Sequence, residues 1–96
     1  VEFIAFTKHL DQFHREFDID TSPHGRAEKL FEEVKEFDEA RDSKSKEDAD
    51  DEAIDVMICA IANVIARGIS SPLDACYFKL ERTAVKYRLR ALEIHV

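Results

Sequence analysis

Two short acidic patterns hold the residues best placed to do chemistry: Glu32-Glu33-x-x-Glu36 and, after an interval, Glu52-x-x-Asp55. In a helix each residue turns by about 100°, so residues three apart share one face. Glu33 and Glu36 would therefore point together, and so would Glu52 and Asp55. Four carboxylates from two facing helices repel strongly unless a cation sits among them. Hard oxygen ligands of this kind suit Mg²⁺, with Mn²⁺ as a substitute. The competing reading of an acidic run such as Glu32 to Glu39 is a solvated helix face. Asp55 weighs against it, because it lies between Ile54 and Val56 at the entrance to the most apolar segment of the chain. A carboxylate there needs a metal, a salt bridge or a proton. Lys29 or Arg82 could supply the salt bridge.

Cationic residues frame the same chemistry. Lys79, Arg82, Lys86 and Arg90 recur at helical spacing and form a basic stripe near the C-terminal end. In one reading it is a solvated face; in the other, Arg82 or Lys86 contacts phosphate oxygens near the metal. Lys29, one turn before Glu33, either joins them or balances the acids. Asp11-x-x-His14 stands alone and no Glu-x-x-His occurs, which argues against a di-iron carboxylate centre. No GxxxxGK[ST] loop is present, so P-loop chemistry has no motif to support it. Metal-assisted phosphoryl transfer needs mainly positioning and charge, which suits a small protein without a covalent nucleophile.

The elements that must position these residues read as four helices, near residues 2–17, 23–41, 46–67 and 72–92. Phe3, Phe6, Leu10, Phe13 and Phe17 define one apolar face of the first, which is expected to end near Asp18 and to serve as core or interface. Ser22-Pro23 gives a cap followed by a proline at the first helical position. Leu30, Val34, Phe37 and Arg41 share the core side of the second helix, with Phe31 beside them. Asp42 to Lys46 reads as a loop, Ser45 as the third cap, and Gly68 as a left-handed stop. Ser71-Pro72 repeats the start signal, and Leu73, Cys76, Tyr77, Leu80, Ala84, Tyr87 and Ala91 form the stripe of the fourth helix. Short links imply an antiparallel four-helix bundle-like, all-α domain. From Ala53 to Ile65 nearly every residue is apolar, so the third helix should be the most buried. A monomer this small cannot cover it on all sides, which implies completion by a second copy.

Bulk properties limit the alternatives. Ninety-six residues make one domain, residues 1–96, with no room for a second core. With only two Gly and two Pro, the chain lacks the turn material of an all-β fold. A net charge of −7 disfavours partners that need positive surface, so neither nucleic acid nor an anionic membrane is expected. The most apolar stretch carries Asp55, Asn63 and Arg67 and is too short and polar to span a bilayer. Cys59 and Cys76 sit within apolar helical patterns and read as buried, reduced thiols. No signal-peptide pattern is visible, and the expected location is cytoplasmic. The sequence begins at Val1, so an N-terminal segment is expected to have been processed or to lie beyond these residues.

The segment Lys29-Leu30-Phe31-Glu32-Glu33-Val34-Lys35-Glu36, followed by Glu52-Ala53-Ile54-Asp55, resembles the E-E-x-x-E…E-x-x-D signature of MazG-like proteins. These belong to the all-α nucleoside triphosphate pyrophosphohydrolases, with relatives among dimeric dUTPases, dCTP pyrophosphatases and phosphoribosyl-ATP pyrophosphohydrolases. The similarity runs from Pro23 to about Arg90. It implies a metal-dependent enzyme that cleaves the α–β phosphoanhydride of a (deoxy)nucleoside triphosphate, giving a monophosphate and pyrophosphate. By motif, the ligands for Mg²⁺ would be Glu33, Glu36, Glu52 and Asp55, and Glu32 would orient or deprotonate the attacking water. The resemblance implies an oligomer, here a homodimer or homotetramer; the substrate contacts Lys29, Arg82 and Lys86 rest on the reading of the basic residues themselves. Lys35 stands where Gly is common before the third Glu, and no Trp is present. The Ser-Tyr-Thr element associated with the phosphoribosyl-ATP branch is also missing, so that branch ranks as the narrower alternative. Outside the enzyme class, the alternatives are a helical interaction module and a nucleotide- or metal-binding sensor.

Overall fold

The computed structural model describes residues 1–95, which form four helices and no strand: α1 (Phe3–Glu16), α2 (Pro23–Ser43), α3 (Lys46–Ala66) and α4 (Pro72–His95). The boundaries follow local chemistry. Asp18 takes a left-handed conformation (φ 52°) just past α1, a position that Asp tolerates better than most side chains. Ser22 accepts a hydrogen bond from the Gly25 backbone N–H, and Ser45 does the same for Asp48, so each cap satisfies an otherwise orphaned donor. Gly68, at φ 86°, ends α3 at little steric cost. The α2–α3 link is shorter than the sequence implies. Arg41 pairs with Asp38 one turn back, which supports the last turn of α2; the helix runs on to Ser43 and leaves only Lys44 and Ser45 before α3.

The packing is centred on the α2–α3 hairpin, whereas α4 touches the rest over only a short stretch of α3. The radius of gyration, 16.9 Å, exceeds the about 12.5 Å of a compact chain this long, and the longest dimension is 56 Å. Along α3 from Val56 to Ala66, all but Met57 and Ile65 are at least partly withdrawn from solvent. Yet Ile54, Met57 and Ile65 remain exposed, so within one chain α3 still presents apolar surface.

Two further expectations are corrected. The inward face of α2 runs through Arg26, Glu33 and Ala40 rather than through Val34 and Arg41, and Phe31 points to solvent. That rotation is possible because Lys29 pairs with the Glu33 carboxylate as it turns inward. On α4 the expected stripe is mostly uncovered: among the described residues Leu73, Tyr77, Leu80 and Tyr87 are exposed, as is Cys76, and only Ala84 is partly buried. No helix among the described residues is long and apolar enough to cross a membrane.

Candidate active site

Antiparallel packing of α2 on α3 brings the two acidic patterns face to face. One oxygen from each of Glu33, Glu36 and Glu52 lies within 4.8 Å of the others. Glu33 is only 7% exposed. Its Oε1 meets the Lys29 ammonium at 3.0 Å, whereas Glu33 Oε2 and Glu52 Oε2 are buried without any hydrogen-bond partner. An unsatisfied buried polar atom costs about 1–3 kcal/mol, and more when charged. Crowding is also visible at Glu36. Its carboxyl is held above its ordinary pKa, first by the Glu33 charge, then by lost hydration, then by Glu52 and Glu32. Lys29 is pushed up as well, chiefly by its bond to Glu33.

This donor set fits a divalent cation. Oxygen ligands at about 2.0–2.6 Å from an ion allow oxygen pairs up to roughly 4–5 Å apart to share it. An ion among Glu33, Glu36 and Glu52 would relieve their mutual repulsion and give the two carboxylates that carry orphaned oxygens a charged partner.

The remaining site candidates are distributed unevenly. Asp55 lies one turn beyond Glu52 but outside the three-carboxylate cluster. It is exposed, not buried as its apolar neighbours suggest, and it pairs with neither Lys29 nor Arg82. Glu32 is exposed, 3.5 Å from Lys29 Nζ, beside the cluster. Arg82 and Lys86 sit on exposed positions of α4 and line no cavity at the cluster.

A groove of about 640 Å³ opens beside the carboxylates, between α1, α2 and α3. Its polar edge carries Arg26, Lys29, Glu33 and Asp55, and its apolar wall includes Phe6, Phe13 and Ile58. That combination, mostly apolar with a few convergent charged groups, is typical of small-molecule sites. Cys59 also faces the groove, but burial, aided by the Glu33 charge, raises its thiol pKa and keeps it protonated. Arg26 is the functional candidate that sequence reasoning missed. The signal was available: it lies four residues before Leu30 on the inward stripe of α2.

The sequence model of the phosphoribosyl-ATP pyrophosphohydrolase family matches residues 6–84, most of the chain. The chain belongs to this family. No curated protein and no solved structure matches it. Membership makes the chain a pyrophosphohydrolase, a hydrolase of acid anhydrides acting on nucleotide-like substrates, within the MazG-like all-α superfamily. The matched span includes both acidic patterns. For a pyrophosphohydrolase, a cation-ready cluster beside a partly aromatic groove is a coherent arrangement.

Proposed function

We propose that this pyrophosphohydrolase binds Mg²⁺, or Mn²⁺ in its place, and cleaves the α–β anhydride of a (deoxy)nucleoside triphosphate or a close derivative. The products are the nucleoside monophosphate and pyrophosphate. The observation that carries this reading is the pair of orphaned buried oxygens, Glu33 Oε2 and Glu52 Oε2, within a cluster that also includes Glu36. Glu33, Glu36 and Glu52 would hold the cation, and Asp55, one turn on along α3, would join them. A cation held there would supply charge to neutralise the phosphate oxygens and would lower the pKa of a bound water. Lys29, beside the cluster, contributes positive charge to the polyphosphate. Glu32, exposed next to Lys29, orients or deprotonates the water. The water oxygen bonds to one of the two bridged phosphorus atoms, and the bridging P–O bond breaks. Phe6 and Phe13 give the nucleoside an apolar wall.

The working unit in this reading is a homodimer, or a homotetramer of two such pairs, located in the cytoplasm. The described chain exposes 7862 Å², against about 5,700 Å² for a compact 11.1 kDa monomer. The excess, roughly 2,000 Å² per chain, is what a large obligate interface covers. Within such an assembly, α4 of a second copy supplies Arg82 and Lys86 to the substrate, since they do not reach the groove of their own chain.

Incubation with Mg²⁺ and a nucleotide panel that includes phosphoribosyl-ATP, followed by chromatography, tests the chemistry. Monophosphate (or its phosphoribosyl form) and pyrophosphate are expected in equal amounts. Diphosphate plus inorganic phosphate would contradict the cleavage position.

A further inference from the structure

At the groove's edge lies a buried cation without an anionic partner. Arg26 as a residue is only 9% exposed, and its terminal nitrogens are not among the sealed, unpartnered atoms, so what remains accessible of the side chain opens onto the groove. Its Nε donates to the Asp20 carbonyl at 2.7 Å, and among the described residues no carboxylate forms an ion pair with it. The nearby acids do not close on it: Asp20 feels the Arg26 charge without forming an ion pair, and Asp55 lies on the same groove unpaired among the described residues. The Asp20 carboxylate accepts from the Ser22 backbone N–H at 2.9 Å, Asp11 pairs with Arg15 at 3.0 Å, and Glu33 pairs with Lys29.

Local structure holds the guanidinium in place. A Cβ at position 25 would run into the Asp20 carboxylate, so Gly25 lets Asp20 close over the start of α2. The Asp20 carbonyl then fixes Arg26 Nε and leaves the two terminal nitrogens as a planar fork, the shape that matches a phosphate. Arg26 and His14 line both the 640 Å³ groove and a smaller one of about 280 Å³. The His14 pKa is lowered first by burial and then by the Arg26 charge, although Asp11 opposes this, so positive potential reaches the groove wall.

On α2, Arg26 and Glu33 are seven residues apart, two turns or about 10 Å. The groove therefore has two charged poles on one helix, one suited to a cation and one to an anion.

We propose that Arg26 is a second phosphate-binding point, which takes a phosphate of the ligand that the carboxylate cluster does not hold. The inference rests on the nucleotide reading of the groove. That phosphate has two sources: the far end of the substrate's own polyphosphate, or a second phosphate on the other side of the nucleoside, as in a phosphoribosyl nucleotide.

The test is calorimetric titration of ATP and of phosphoribosyl-ATP into wild type, Arg26→Gln and Arg26→Lys, with Ca²⁺ replacing Mg²⁺ to suppress turnover. Circular dichroism establishes that each variant is folded, and Arg26→Met replaces Arg26→Gln if that variant does not fold. Loss of the charge is expected to weaken phosphoribosyl-ATP binding at least tenfold, with Arg26→Lys recovering most of it. An equal loss for ATP assigns the phosphate to the polyphosphate; a loss under twofold for ATP assigns it to the second phosphate. Unchanged binding of both ligands by the folded, uncharged variant overturns the proposal.

Metal-free inorganic pyrophosphate, read by thermal melting, separates this inference from the reading beneath it. If wild type binds neither nucleotide, the nucleotide reading fails. Pyrophosphate that still raises the melting temperature of wild type but not of the uncharged variant keeps Arg26 as a phosphate point. Where wild type binds neither nucleotide and gains nothing from pyrophosphate, both ideas fall.

Discussion

The α2–α3 hairpin and α4 invert each other's pattern. The hairpin turns charge inward, with Arg26 and Glu33 among its most buried residues, whereas α4 turns Leu73, Tyr77, Leu80 and Tyr87 outward. Burying charge costs stability and so signals a ligand; exposing large apolar side chains in one continuous helix signals a protein surface. On the proposed reading, one region would take something small and charged, and the other something large and apolar. The difference then separates a cation-binding cluster held within one chain from an apolar helix face that a second copy would cover.

The largest expected effect breaks the inward half of this comparison. Glu33→Gln keeps the shape and removes one charge from the centre of the cluster. Turnover with Mg²⁺ is expected to fall roughly 10²-fold or more, equivalent to about 2.7 kcal/mol of lost transition-state stabilisation. The same variant has a readout independent of activity. The Glu33 charge is the main reason that the Glu36 carboxyl sits above its ordinary pKa, so a metal-free NMR titration should show Glu36 shifting back down. The sign also sets the pH dependence. A raised folded-state pKa favours the metal-free protein below the ordinary carboxylate range, and that contribution is lost as pH rises through the folded value. An unmoved Glu36 together with unchanged turnover would mean that the three carboxylates do not act as one site.

The outward half is tested on α4. Leu80 is 68% exposed in the single chain, so Leu80→Glu removes little internal packing. Wild type is expected to sediment as a dimer or tetramer at low micromolar concentration, and the variant to shift toward monomer while retaining its helical dichroism. Activity should fall about tenfold or more if a second copy supplies Arg82 and Lys86. A fully active wild-type monomer would end this account of α4.

What was legible in the sequence divides along the same line. Helix starts were readable because they are local: Ser22-Pro23, Ser45 and Ser71-Pro72 each announce themselves within a few residues. The acidic patterns were readable because i, i+3 spacing fixes a shared face whatever surrounds it. The inward stripe of α2 was not, since hydrophobic periodicity points to Val34, while the buried position is Glu33, stabilised by Lys29 and set among facing acids. Arg26 escaped notice for the same reason: apolar patterning gives no weight to a charged residue on the core face. The sparse contact of α4 is a tertiary fact that its amphipathic stripe could not convey, because a stripe shows that a partner exists without saying which chain supplies it. Short motifs also ranked the phosphoribosyl-ATP branch second, on the missing Ser-Tyr-Thr element. The family match over residues 6–84 weighs the whole pattern and places the chain in that family.

The smallest expected effect sharpens the boundary of the site. Asp55 matches the last acid of the sequence pattern, yet it lies outside the cluster of Glu33, Glu36 and Glu52 and is exposed beside the groove. Two roles make different predictions for Asp55→Asn. A structural role requires a buried ion pair, whose loss would lower the melting temperature; no such pair is formed with Lys29 or Arg82 among the described residues. A ligand role, with the carboxylate closing onto a cation that the other three already hold, predicts a metal-free melting temperature within about a degree of wild type, because an exposed charge contributes little to folding. The stabilisation conferred by Mg²⁺ should then shrink, and turnover should fall roughly tenfold, less than for Glu33→Gln. Glu39→Gln, further along the acidic face of α2 and outside the cluster, is the control and should be nearly silent in both measurements. If Mg²⁺ stabilises Asp55→Asn as fully as wild type while turnover stays intact, the site ends at Glu52 and the fourth acid of the pattern belongs to the surface.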